Sequence, residues 1–133
     1  MSTHACLAYE TKKGWFTIYS HGDGYPSCTG AQLLRCYSKR EDFMKLVDMG
    51  DMSWPDPSQT YSNWEHCKTL GWSKEYFDSQ LNGVKTRFFK TFDELKKYAD
   101  SSMSAGYIYF MSLKHKSIYV SVYRSPHEFT PAI

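Results

Sequence analysis

Apolar residues recur with a period of two at both ends of this chain and with helical spacing between them, and the two periods predict the order of elements. Residues 4–10 and 15–20 read as strands joined by a polar turn that ends at Gly14, an N-terminal hairpin. In the second strand Trp15, Thr17 and Tyr19 alternate with Phe16 and Ile18, so one side can pack on helices. After His21-Gly22-Asp23-Gly24-Tyr25-Pro26 the period changes. Gly30, Leu34 and Tyr37 continue one face of a first helix, and Pro26 suits its first turn. Ser38-Lys39-Arg40-Glu41 has the spacing of a capping box and marks a second helix, with Phe43, Leu46 and Val47 buried and Gly50 as its stop. Thr91-Phe92-Asp93-Glu94 repeats that spacing at the head of a third helix, which buries Phe92, Leu95 and either Tyr98 or Ala99. Strands over 84–90, 106–112 and 117–123 complete the pattern, the last two forming a hairpin around residues 113–116.

Residues 51–72 fit neither period. Trp54-Pro55-Asp56-Pro57 excludes both helix interior and central strand, yet Trp54, Trp64 and Trp72 are more than a linker needs, so an ordered excursion is expected. Over 73–83, Ser73 can cap a short helix that ends at Asn82-Gly83, and Asn-Gly can equally turn a hairpin; the helix is preferred. The tail 125–133 holds two prolines and reads as loosely held. The order β-β-α-α-(irregular)-β-α-β-β predicts a single α+β domain over residues 1–133, with a largely antiparallel sheet and helices packed on one face. The other face then carries Tyr19, Tyr107, Tyr109, Tyr119 and Tyr123 uncovered, which favours a symmetric homodimer.

Composition narrows the class of protein. Hydrophobic residues at 41% and aromatics at 17% exclude a disordered chain. No apolar run approaches the roughly 20 residues that span a bilayer, and the N-terminus has no basic and apolar leader, so a cytoplasmic protein without a membrane role is expected. Cys6, Cys28, Cys36 and Cys67 read as reduced, small buried hydrophobes. A net charge of +2 with scattered basic residues argues against nucleic-acid binding.

Candidate chemistry gathers at the turn. His21 and Asp23 have the spacing of a metal or acid–base pair, but no third ligand stands at a defined distance, and His66-Cys67 is an unsupported one. Gly22 and Gly24 offer backbone angles closed to other residues, and Asp23 can bond neighbouring amides, so a turn-stabilising role is preferred. Cys28 lies near a helix start without a histidine to complete a nucleophilic site. Neither a Walker loop nor a dinucleotide fingerprint occurs, though the start of the first helix could hold a phosphate. No catalytic residue, metal or cofactor is assigned.

The residues His21, Asp23, Gly24, Tyr25, Pro26, Gly30, Leu33, Leu34 and Tyr37, continued by Leu46 to Ser53 and by Phe92 to Phe110, resemble a family of uncharacterised small proteins encoded by bacteriophages and prophages. Residues 54–85 lie outside the resemblance. It implies a viral origin and a role directed at the host cell, with no particular activity. The expected function is a non-enzymatic binding protein that inhibits a host component, a defence system or an enzyme, with a host protein as partner and His21, Asp23, Tyr25, Trp54, Trp64, Trp72, Tyr109 and Tyr119 as binding residues. The alternative is a small nucleotide-binding or hydrolytic protein centred on His21, Asp23 and Tyr25.

Overall fold

In a computed structural model, which describes residues 3–114 and 117–122, the chain forms an α+β domain around a five-stranded sheet of order β3-β2-β1-β4-β5. Strands β1 (His4–Glu10) and β2 (Trp15–Ser20) make the expected antiparallel hairpin. Strand β3 (Arg87–Phe89) adds antiparallel to β2, and β4 (Ala105–Met111) pairs with β5 (Tyr119–Val122) antiparallel. One pairing, β1 with β4, is parallel and joins the two hairpins through the middle of the sheet.

Helices α1 (Ala31–Tyr37) and α2 (Arg40–Val47) cover one face, where Leu33, Phe43, Leu46 and Val47 pack on Leu7, Ile18 and Tyr109. Helix α5 (Phe92–Tyr98) lies over the opposite face, with Leu95, Ala99 and Met103 against Cys6, Ala8, Ile108 and Phe110. The expectation of helices on one face is therefore corrected. The reason is visible in β1: Ala5 to Tyr9 is an unbroken apolar run, buried at every position, as a central strand covered on both sides requires. The tyrosine face goes with it. Tyr107 and Tyr109 join the α1–α2 side, Tyr19 and Tyr119 the α5 side, and Tyr123 lies outside the described residues. The uncovered surface that favoured a homodimer is absent among them.

Local signals fared unevenly. Thr91 caps α5, its Oγ1 accepting from Glu94 N at 3.2 Å and donating to the Glu94 carboxylate at 3.1 Å. Ser38 does not cap α2. It stays in the helical region at the end of α1, and a cap residue must be extended, so Lys39 takes that place without a side-chain bond. Gly50 ends the segment at φ +90°, where an added Cβ would stand 2.5 Å from the Val84 carbonyl. The strand expected over 84–90 shrinks to β3, because Val84 still donates to Gln80 O and its own carbonyl accepts from Asp51 N. Cys6 and Cys67 are buried as expected, whereas Cys36 is exposed and Cys28 half-buried. Among the described residues no helix is long and apolar enough to cross a membrane.

The excursion contains a helix that its irregular reading missed. Asn63 caps α3 (Trp64–Thr69) by accepting from Glu65 N, and Ser73 caps α4 (Lys74–Gln80) by accepting from Tyr76 N. Met52 is bridged to Ser20 on one side and Thr60 on the other, which ties the segment to the end of β2.

Candidate functional site

The turn from His21 to Gly30 is fastened by main-chain bonds on both flanks. His21 and Gly22 donate to Met52 O and Ser53 O at 3.0 and 2.9 Å, and Gly24 donates to Thr3 O at 2.8 Å. Asp23, at φ +48°, is the residue in the left-handed region, which Asp tolerates better than most. Gly24 has no such angle. It is glycine because a Cβ there would stand 2.9 Å from Thr3 O and 3.0 Å from His4 C. The Asp23 carbonyl accepts from Thr29 N and Thr29 Oγ1, closing a π-helical turn, Pro26–Gly30, ahead of α1. From beneath, the Tyr109 hydroxyl donates to Gly24 O at 2.7 Å. Tyr109 is fully buried, and burial drives its phenol well above the ordinary tyrosine range. Asp23 and Tyr25 lie exposed on the turn.

His21 belongs to a different grouping. Its ring stacks on His4 at 4.7 Å between centroids, its Nδ1 shares a 2.7 Å bond with the Tyr19 hydroxyl, and its carbonyl accepts from His4 Nδ1 at 2.7 Å. Burial, and secondarily His4, hold the His21 imidazole below its usual value. Beside it Asp51 is 5% exposed and accepts from Tyr19 N and from both ends of the Arg87 guanidinium, each of the latter at 2.7 Å. Burial pushes the Asp51 carboxyl up and the Arg87 fork opposes it, while Asp51 raises the guanidinium. Arg87 also donates to Gly83 O and lies over the Tyr98 ring. Tyr19, Asp51 and Arg87 meet where β1 and β4 begin and β2 ends, around a hollow of about 230 Å³ that His4, Tyr98, Ser102 and Ser104 complete, and His21 adjoins it through His4 and Tyr19.

Farther along the excursion, Ser53 Oγ and His66 Nε2 stand 2.8 Å apart, and burial lowers the His66 imidazole from its usual value. Among the described residues nothing orients the other nitrogen of His66, so the pair lacks the third member of a nucleophilic site. No group of three His, Cys, Asp or Glu among them could hold a metal ion.

The tryptophans are placed by packing. Trp64 meets Phe77 across α3 and α4 at 5.4 Å with Lys74 over both rings. Trp72 sits between Tyr61 at 5.3 Å and Tyr76 at 4.9 Å, the second contact edge-on. Trp54 is half-buried at the start of the excursion. Tyr119 stacks on Phe110 inside the α5-side core. Of the sequence candidates, then, His21 joins the sheet-end cluster, Tyr109 holds the turn, and Trp64 and Trp72 build the α3–α4 knuckle. Sequence reasoning missed His4, Asp51, Arg87, Tyr98 and Ser104. Asp51 and Arg87 stand 36 positions apart, and only Ser104, before an apolar strand, lay where a turn signal could have been sought. Comparison with models of known protein families, with curated proteins and with solved structures found no match to this chain.

Proposed function

We propose that this chain is a non-enzymatic binding protein, encoded by a bacteriophage, that occupies a host protein in the host cytoplasm and so inhibits a defence system or an enzyme. The observation that carries the reading is the Tyr61–Trp72–Tyr76 aromatic cluster on the α3–α4 knuckle. Tyr76 is 49% exposed and Leu70 46%, so rigid aromatic area faces solvent on a segment that the sheet does not need. Large aromatics with few rotatable bonds are the residues that dominate the energetics of protein interfaces. The viral origin and the host as target rest on the resemblance of the turn and of the segments around it.

The test is retention of a protein from bacterial host lysate on the immobilised chain and on its Tyr76→Ser variant. Tyr76 is half exposed and outside both core clusters, so the variant stays folded, and a hot-spot loss of about 2 kcal/mol weakens retention roughly thirtyfold. Retention of no protein, or equal retention by the variant, overturns the reading. The rival, a nucleotide-binding or hydrolytic protein centred on His21, Asp23 and Tyr25, draws support from the His21 contact with His4 and Tyr19. A nucleotide panel followed by melting temperature tests it, since a ligand at 100 times its Kd stabilises by about 2.7 kcal/mol.

A further inference from the structure

The hollow at the end of the sheet is built unlike a packing defect. Along it lies the Asp51 carboxylate gripped by Arg87 and by Tyr19 N, a part-buried ion pair rather than an apolar void. Its rim follows a second π-helical turn, Ala99–Met103, and such turns recur at functional sites. The turn ends at Ser104 with φ +50° and ψ +41°, a left-handed position that glycine fills at less cost. A serine held there brings a hydroxyl to the mouth of the hollow, and backbone kept in a costly region points to use of the side chain it presents.

We infer that this hollow is a binding site for a monosaccharide unit, a small neutral ligand rich in hydroxyls. Charge is the first reason. Asp51 and Arg87 cancel, and Tyr19, Tyr98, Ser102 and Ser104 add no formal charge, so these groups do not select a phosphate or an ammonium by their field. Hydrogen-bonding character is the second. Ser102 and Ser104 bring hydroxyls that both donate and accept, the Tyr19 hydroxyl keeps a further place beside its bond to His21 Nδ1, and the Tyr98 hydroxyl one beside its bond to Arg87. A sugar's hydroxyls need that mixture of partners. Shape is the third: the Tyr19 ring and the His4 ring, the latter with one face on His21, supply apolar area for the C–H side of a pyranose or furanose, and about 230 Å³ lies below the roughly 300 Å³ at which drug-sized pockets begin.

This inference is independent of the α3–α4 surface, and the variants that test the two do not overlap. Amide correlation spectra of the labelled full chain, titrated to millimolar levels with D-glucose, D-ribose, N-acetyl-D-glucosamine and inorganic phosphate, give the readout. A neutral sugar should move the amides of Tyr98, Ser102 and Ser104 in a saturable way. The Ser102→Ala/Ser104→Gly double variant keeps the fold, because both residues are exposed and glycine accepts the angle of Ser104, and loss of two hydroxyl partners should weaken that sugar about tenfold. Three results overturn the inference: no response to any sugar, a response to phosphate alone, or sugar binding that the double variant leaves unchanged while its melting temperature matches the parent.

Discussion

Tyr109→Phe deletes one oxygen and tests whether the organising turn is held from below. Its hydroxyl is fully buried and donates to Gly24 O at 2.7 Å across 85 positions of sequence. The phenylalanine ring keeps the packing against Gly30, where the Tyr109 ring lies 3.3 Å from the position of an added Cβ. What changes is the Gly24 carbonyl, which loses that donor at a buried residue. An unsatisfied buried acceptor costs about 1–3 kcal/mol, which for a domain of this size lowers the melting temperature by roughly 4–10 °C. Urea unfolding should show a lower midpoint with an unchanged slope, since the surface exposed on unfolding is the same. Hydrogen exchange adds a local signature: the amides of Thr29 and Gly30, which bond back to the turn, should exchange faster than those of β1. A stability for the Tyr109→Phe variant within about 0.5 kcal/mol of the parent, below the cost of an orphaned acceptor, with those amides unaffected, would refute the view that Tyr109 holds the turn. His21→Ala serves as the control, since an exposed residue of that turn should cost far less.

Arg87→Met removes one partner of a pair whose carboxylate side chain is 7% exposed, and breaking such a pair costs about 3–5 kcal/mol near neutral pH. Because burial then raises Asp51 against the Tyr19 N–H alone of its present hydrogen-bond partners, the folded state binds a proton more readily than the unfolded one, and the deficit of this variant should shrink as the pH falls toward about 4; chemical denaturation at several pH values checks it. The parent should lose stability as the pH drops below about 6.5, because His21 and His66 both titrate lower when folded and the unfolded chain takes up protons first. A His21→Gln/His66→Gln variant should flatten that limb, and an unaltered slope would assign it to other groups.

Most strands and helices, and the caps at Thr91 and Ser73, were legible because each rests on contacts a few residues long, whereas α3, the cap of α2 and the extent of β3 were not. Alternation in Trp15 to Tyr19 placed β2 and sorted its faces, and Thr91 and Ser73 announced their helices through bonds to the third residue on. The α+β class followed from the order of those elements. A period, however, names the face of an element and not what lies against it. Cys6 and Ala8 were bound to point away from Leu7, but that α5 covers them was decided by the parallel docking of β4 on β1, a pairing between segments about a hundred positions apart. The candidate site depends on that docking on one side and on the β2–β3 edge on the other. The first brings Ser104 beside His4, and the pairing of Arg87 with Thr17, with the bridge from Met52 to Ser20, sets Asp51 against Arg87. Each of these residues alone is an ordinary polar position in its own stretch of chain, and the long-range register of the sheet turns them into one cluster because it fixes which ends of distant strands share an edge.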